Sequence, residues 1–180
     1  MKNEIIDLAK SLIEIKSISP EDKGCFDIVE KYLDQLKFKT ERINYLNMEN
    51  LYSTIGSKGP LFCFLGHTDV VPSGPEELWD IHPFKPEVLN DHLVGRGAAD
   101  MKGAVATFLV TAKEFLEKYP NPNFRICIFL NSNEEGEPAD GKIDKIIKDL
   151  QEKGEHIDYC LVGEASSSKK LADTIRLGRR

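Results

Sequence analysis

The sequence predicts a layered α/β domain, and two observations support this prediction. Short apolar runs typical of buried strands alternate along the chain with segments whose apolar residues recur at helical spacing. Three of these runs, which end at residues 65, 130 and 162, lead into clusters of His, Asp or Glu. Because open α/β sheets bind their ligands at the carboxyl ends of their strands, the same residues predict a site at that edge of the sheet.

Four helices are predicted. Asn3 is the expected N-cap of the first, an amphipathic helix that the Ser19-Pro20 pair should break. The second helix is defined by apolar residues at helical spacing, namely Phe26, Val29, Leu33 and Leu36. The third covers residues 101–119 and is stopped by prolines, and the fourth covers residues 142–153.

Strands are predicted at residues 40–43, 51–55, 61–65, 125–130 and 159–162. Residues 72–86 contain four prolines, which predicts an irregular loop. A hairpin around Asn90-Asp91 should pair residues 87–89 with residues 92–94.

The composition argues against several classes of function. A formal net charge of −6 argues against nucleic acid as a partner, and no apolar run reaches the roughly 18 residues of a membrane span. The N-terminus turns polar too early for a signal peptide. The four cysteines show no Cys-x-x-Cys spacing, and three of them lie in predicted core strands, which favours a reducing cytoplasm: Cys25, Cys63, Cys127 and Cys160.

Six side chains make up the candidate site: His67, Asp69, Asp100, Glu134, Glu135 and Glu164. One imidazole and five carboxylates form an anionic pocket that requires cations. Residues two apart in a strand point the same way, so Asp69 can stand behind the His67 imidazole and fix its tautomer. Adjacent Glu134 and Glu135 point in different directions, which suits one metal ligand and one base that takes a proton from water.

Each motif also has an ordinary explanation when it is taken alone. The His-x-Asp pair could lie on the surface, the Glu pair in a solvated loop, and Asp100 or Glu164 at a helix cap. Four motifs that all fall at strand ends or helix starts favour a single site instead. The other histidines lack this support, and we expect them to be structural or exposed: His82, His92 and His156.

Several stretches resemble a known family. They are residues 66–72 (Gly-His-Thr-Asp-Val-Val-Pro), the loop around residues 79–84, residues 95–103 (Gly-Arg-Gly-Ala-Ala-Asp-Met-Lys-Gly), Glu-Glu-Gly at 134–136 and Gly-Glu at 163–164. They resemble the metallopeptidase family that includes aminoacylases, acetylornithine deacetylases and succinyl-diaminopimelate desuccinylases. The desuccinylases are the most similar of these, through residues 97–103 and Gly-Arg-Arg at 178–180. The resemblance implies an α/β/α zinc-exopeptidase-like catalytic domain with a mixed sheet.

The resemblance also implies a two-zinc centre, in which Co²⁺ could replace zinc. Asp100 would bridge the two ions, and His67 and Glu164 would each bind one zinc. Glu135 would complete the coordination of the ion opposite His67.

The same resemblance gives three residues a role beside the metals. Glu134 would be the general base, and Asp69 would be the acid that orients His67. Arg179 would hold a substrate carboxylate, for which a planar guanidinium is well suited.

The chain departs from the family pattern at Ala165, at Asn133 and at Glu137-Pro138, without losing a ligand. Relatives continue into a dimerisation (lid) domain and then supply a second metal-binding His. We therefore expect residues 1–170 to be the N-terminal portion of the catalytic domain, and residues 171–180, which resemble the opening of a strand, to begin the lid domain, with the remainder absent. We expect one strong metal site, formed by His67, Asp100 and Glu135, and little activity from such a fragment.

The resemblance implies hydrolysis of the succinyl amide of N-succinyl-LL-2,6-diaminopimelate to succinate and LL-2,6-diaminopimelate, in lysine biosynthesis in the cytoplasm. The substrate would be this small N-succinyl amino acid, and the whole protein would be a homodimer without nucleic acid or membrane partners. Two alternatives stay open. One is another deacylase, such as an acetylornithine deacetylase, and the other is a catalytically silent, truncated metal-binding domain.

Overall fold

The computed structural model describes residues 1–46, 48–136, 142–167 and 169–170. Its helices are α1 (Lys2–Glu14), α2 (Cys25–Gln35), α3 (Gly103–Lys118) and α4 (Lys142–Glu152). Its strands are β1 (Lys39–Arg42), β2 (Asn50–Ile55), β3 (Leu61–His67), β4 (Glu87–Leu89), β5 (His92–Val94), β6 (Arg125–Asn131) and β7 (Tyr159–Val162). Short helical turns at Glu76–Leu78 and Ala98–Lys102 lie in the connections.

The main sheet is mixed and has the strand order β1-β2-β6-β3-β7 in the described part of the chain. β6, β3 and β7 are parallel neighbours, whereas β2 is antiparallel to both β1 and β6. His67 at the end of β3 lies opposite Asn131 at the end of β6, and Leu65 lies opposite Val162 at the end of β7. The carboxyl ends of three strands therefore meet at one edge of the sheet, which confirms the predicted mixed sheet.

Side chains along β6 show why the sheet is covered on both faces. Ile126, Ile128 and Leu130 belong to a core cluster with residues of α1, α2 and α3, while Cys127 and Phe129 belong to a second cluster with residues of α4. Successive strand residues point to opposite faces, so an apolar residue at every position requires helices on both sides. This arrangement is the predicted α/β/α layering.

Two predicted helix boundaries are wrong. α1 has Met1 as its N-cap, so Asn3 lies inside the helix, and α1 ends at Glu14, ahead of the Ser19-Pro20 pair. A tertiary contact holds this end, because the buried Lys102 ammonium donates to the carbonyl oxygens of Leu12 and Ile15 at 2.7 and 2.9 Å. Both carbonyl oxygens also accept backbone hydrogen bonds, from the amides of Ile15 and Ser17.

α3 begins at Gly103 rather than at residue 101, because the backbone of Asp100 and Met101 is not helical. The predicted hairpin is confirmed, since Leu89 pairs with His92. Asn90 and Asp91 between them have φ angles of 48° and 63°, as a type I′ turn requires.

One cysteine prediction is wrong. Cys63 and Cys127 are buried as expected, but Cys160 is exposed because β7 lies at the edge of the sheet that the described residues form. The strand predicted at residues 171–177, and with it the expected start of a second domain, lies outside the described residues.

In the part of the chain that the structure describes, none of the helices combines the length and the apolar character that crossing a membrane requires.

The turn before β3 gives a test of the fold. Gly59 and Gly74 both have positive φ, 84° and 72°, but only at Gly59 would a Cβ collide, with the Asn123 carbonyl oxygen. Gly74→Ala should lower the free energy of unfolding by about 1–2 kcal/mol, the cost of a left-handed alanine. Gly59→Ala should cost at least about 1 kcal/mol more, since backbone must also shift. Urea unfolding of both variants measures the difference, and equal losses would contradict this packing.

Candidate metal centre

Three neighbouring strands bring the predicted residues together. His67 is the last residue of β3, Glu134 and Glu135 follow β6, and Glu164 follows β7. Asp100 comes from the turn that precedes α3. The five side chains thus originate from four separate segments that meet at the carboxyl edge of the sheet, as predicted.

The His67 imidazole lies at the bottom of a ring of carboxylates. Its Nε2 atom is 3.0 Å from Asp100 Oδ1, 3.1 Å from Glu164 Oε1 and 3.8 Å from Glu134 Oε2. The His67 side chain is 1% exposed, whereas those of Asp100 and Glu134 are 58% and 53% exposed. The carboxylates therefore face solvent, where a small molecule can reach them.

Asp69 fixes the orientation of the imidazole. The Nδ1 atom of His67 is 3.0 Å from the main-chain carbonyl oxygen of Asp69 and 3.4 Å from its carboxylate. Both of these oxygens only accept hydrogen bonds, so Nδ1 carries the hydrogen and Nε2 is the nitrogen that can coordinate a metal.

Asp69 also holds the Glu pair. Its two carboxylate oxygens accept hydrogen bonds from the backbone amides of Glu134 and Glu135, at 3.2 and 3.0 Å. Asp69 is fully buried. One carboxylate therefore positions both the imidazole and the loop that carries the predicted base.

The electrostatics of the centre favour a bound cation. Burial lowers the pKa of His67, but its hydrogen bond to Asp69 and the nearby negative charge outweigh this and raise it to about 9. Burial raises the pKa of Asp69, yet hydrogen bonds from His67 and the Glu135 amide hold it below its usual range. Burial, and then the charge of Asp100, raise the pKa of Glu135 and of Glu164. Uncompensated negative charge therefore accumulates around Nε2.

The donor set fits a divalent metal ion. His67 offers ligand atoms within 4.8 Å of one another with Asp100 and Glu164, and separately with Glu134 and Glu135. Ligand atoms about 2.1 Å from a tetrahedral cation lie about 3.4 Å apart. The distances of 3.0 and 3.1 Å from Nε2 to Asp100 and Glu164 are within a few tenths of an ångström of that value.

The expected site of His67, Asp100 and Glu135 stays a prediction. Among the described residues, Glu164 rather than Glu135 has a ligand atom within 4.8 Å of both His67 and Asp100. The cause is strand order, because β7 is the direct parallel neighbour of β3 and carries Glu164 to the imidazole.

The other histidines lie away from this centre, as expected. His82 and His92 are exposed and form hydrogen bonds with nearby residues. His82 accepts one from the Phe84 amide, and His92 forms one with the Asn90 carbonyl oxygen. His156 is exposed as well. Arg179, the predicted substrate ligand, lies outside the described residues.

Sequence reasoning missed the part played by Ser19. Its hydroxyl donates to Asn133 Oδ1 at 2.8 Å, and Ser19 lies close enough to Asp69 to lower the pKa of that carboxyl group. The sequence indicated only a helix break at Ser19 and a departure from the family at Asn133. These residues are 114 positions apart, and no spacing rule could have joined them.

Comparisons with a family model and with curated proteins point to the same family. The model of the peptidase family M20/M25/M40 matches residues 63–177. Succinyl-diaminopimelate desuccinylase of Xylella fastidiosa (strain M23) is 46% identical over 99% of this chain and 47% of its own length. The enzyme of the same name from Nitrosomonas eutropha is 45% identical over 100% of this chain and 47% of its own length. The chain thus spans about half the length of the curated relatives it matches.

Solved structures show the same fold. Human carnosine dipeptidase 1 has a TM-score of 0.79 at 19% identity, over 92% of this chain and 39% of that protein. An M20 family metallo-carboxypeptidase from Sulfolobus solfataricus has a TM-score of 0.74 at 23% identity, over 91% of this chain and 38% of that protein. At these identities the likeness shows the fold alone.

Metal binding should displace a proton from His67. Because its pKa is raised from 6.5 to about 9, the metal-free imidazole is protonated at pH 7. Binding of Zn²⁺ at pH 7 should then release about one proton from His67, and the apparent affinity should rise about tenfold per pH unit until pH 9. Titration calorimetry in buffers of different ionisation enthalpy counts the protons.

The Asp69→Asn variant tests the cause of this proton release, because it removes the charge that raises the pKa of His67. The proton count of this variant at pH 7 should fall below that of the wild type, whereas His82→Gln, which changes an exposed histidine, should match the wild type. An unchanged count in Asp69→Asn would show that Asp69 does not control the protonation of His67.

Proposed function

The chain belongs to the peptidase family M20/M25/M40, and from this premise we propose that it forms the metal-binding part of a succinyl-diaminopimelate desuccinylase. The reaction is hydrolysis of the succinyl amide of N-succinyl-LL-2,6-diaminopimelate, a step of lysine biosynthesis. The observation that carries the proposal is His67 Nε2, which faces Asp100 and Glu164 at 3.0 and 3.1 Å while Asp69 holds Nδ1. The identity of 46% to a desuccinylase over 99% of the chain supports this substrate class.

Two zinc ions, or two Co²⁺ ions, are the proposed cofactors, with Asp100 as the bridging ligand. Its charge is the leading electrostatic contribution to the raised pKa of both Glu135 and Glu164, after burial. This supports a position for Asp100 between the two. His67 and Glu164 then serve one ion, and Glu135 serves the other. A set of imidazole and carboxylate ligands is typical of catalytic zinc.

When bound here, the divalent cations polarise the amide carbonyl group and acidify water. The chain supplies the proton transfers. The Glu134 carboxylate is half exposed and 3.8 Å from His67 Nε2, so it lies at the centre with an edge open to water. Glu134 accepts a proton from the attacking water and returns it to the amide nitrogen as the C–N bond breaks. Asp69 keeps Glu134 in place through the Glu134 amide.

Further properties of the whole protein are part of the same proposal. They are a homodimer with a lid domain, a substrate carboxylate bound by Arg179, and a cytoplasmic location. The location is supported by the four cysteines, all of which are free thiols.

The substrate can be tested directly. The protein, expressed from its own reading frame to the stop codon and supplied with Zn²⁺, should hydrolyse N-succinyl-LL-2,6-diaminopimelate. Its kcat/KM should exceed that for N-acetylornithine by at least about 10²-fold, as expected when a site hydrogen-bonds a substrate group that the analogue lacks. A preference for N-acetylornithine would indicate another deacylase. Hydrolysis of neither compound by metal-loaded protein would indicate a silent metal-binding domain.

The two glutamates should differ when each is changed in that same protein. Glu134→Gln should keep its metal content but lower kcat by about 10²–10⁴-fold, the usual worth of a positioned acid–base group. Glu135→Gln should lose metal, because a neutral amide replaces an anionic ligand. Metal analysis and steady-state kinetics separate the two effects, with the exposed Glu77→Gln as control. If Glu134→Gln lost metal and Glu135→Gln kept it, Glu134 would be the metal ligand and Glu135 the base.

A further inference from the structure

Three cysteines form a row across three neighbouring strands. Cys63 on β3 lies opposite Cys127 on β6 and opposite Cys160 on β7. Residues directly opposite each other on adjacent strands point to the same face of a sheet, with backbones about 4.8 Å apart. The three thiols therefore share the face that α4 covers, where Cys63 and Cys127 belong to the core cluster.

Two of the three thiols line a cavity that opens to solvent. The cavity has a volume of about 260 Å³, and Cys63 and Cys160 lie in its wall together with apolar residues of α4, Ile147 and Leu150. Cys160 is exposed, Cys63 is 1% exposed but lines the cavity, and Cys127 is fully buried and is not part of the wall. A small ion can therefore reach Cys160 from solvent and Cys63 through the cavity.

This thiol pair is separate from the carboxylate centre. Cys63 precedes His67 by four residues on β3, and Cys160 precedes Glu164 by four residues along β7. Four residues of extended chain span about 13 Å. The two sets of ligands thus lie too far apart to hold one ion.

Sulfur and oxygen ligands select different cations. Thiolates select soft ions such as Cu(I), whereas carboxylates suit harder divalent ions. Burial, together with the neighbouring Cys63, raises the pKa of the Cys160 thiol to about 11. A hydrogen bond with Cys127, and then burial, raise that of Cys63. Both groups are thiols at neutral pH, so only an ion that bonds strongly to sulfur can displace their protons.

Two of the three thiols can approach one ion from adjacent strands. Among the described residues, the three cysteines are not a group whose ligand atoms all lie within 4.8 Å of one another, as would suit a three-coordinate ion. Cys63 and Cys160 lie directly opposite each other on β3 and β7, whose backbones are about 4.8 Å apart. We propose that Cys63 and Cys160 form a two-coordinate site for a soft, thiophilic cation of the Cu(I) type.

The binding step balances without any redox change. Two S–H bonds break, two metal–sulfur bonds form, and two protons leave through the cavity mouth to buffer. The bound ion joins β3 to β7, since each strand contributes one sulfur atom. Occupancy should therefore raise the melting temperature as well as change the absorption spectrum.

Cu(I) itself is the probe. The reduced protein is titrated without oxygen against a chromogenic Cu(I) chelator, and the ultraviolet thiolate-to-Cu(I) absorption is followed. One equivalent should bind, and X-ray absorption should show two sulfur neighbours. Cys160→Ser should weaken the affinity by at least about 100-fold, since even outer-shell partners of metal sites are worth about 10- to 100-fold. Because Cys160 is exposed, this variant should fold normally, which circular dichroism checks.

Cys127→Ala is the matched control, because it removes a thiol from the same row but not from the cavity wall. It should bind Cu(I) at least as tightly as the wild type, because it also removes the hydrogen bond that raises the pKa of Cys63. The proposal is overturned if Cys160→Ser binds Cu(I) like the wild type, if folded Cys127→Ala loses binding, or if X-ray absorption shows nitrogen or oxygen neighbours in place of sulfur.

Discussion

The centre depends on one buried carboxylate, that of Asp69. A buried charge costs several kcal/mol unless its surroundings compensate for it. Here it accepts hydrogen bonds from the Glu134 and Glu135 amides and lies against the His67 imidazole. These partners belong to the end of β3 and to the segment that follows β6, so the hydrogen bonds of Asp69 connect two strand ends. The charge that would destabilise an apolar core instead fixes the geometry of the site.

The parallel register of the central strands explains why the centre is so acidic. β6, β3 and β7 end side by side, and each delivers its carboxylates to the same place. Asp100 enters from the turn before α3 and raises the pKa of Glu135 and Glu164, beyond the effect of burial. Repulsion of this kind opposes folding. The fold tolerates it because the apolar clusters lie on the two faces of the sheet, away from the strand ends.

The sequence predicted what depends on local pattern. Strand positions, the hairpin at Asn90 and Asp91, and the approach of acids to His67 follow from apolar runs and turn residues. The prediction from sequence failed where a contact between residues far apart in the chain determines the structure. α1 ends where Lys102 meets its last carbonyl groups, 87 and 90 residues away. The proximity of Glu164 to His67 and Asp100 likewise depends on strand order, which no spacing along the chain encodes.

Two sets of proposed ligands, the thiols and the metal centre, lie along β3 and β7. In a strand, residues an even number of positions apart point to the same face. Cys63 and His67 are four residues apart on β3, and Cys160 and Glu164 are four residues apart in β7 and the residues that follow it. The two proposed donor sets therefore recur at the same interval on neighbouring segments. The distance of 3.1 Å between His67 Nε2 and Glu164 is set by the same pairing that places Cys63 beside Cys160. A ligand that tightens or spreads β3 and β7 at the thiols therefore acts on strands whose ends hold the centre. In the described part of the chain β7 is an exposed edge strand that pairs with β3 alone, so it is the strand that would yield.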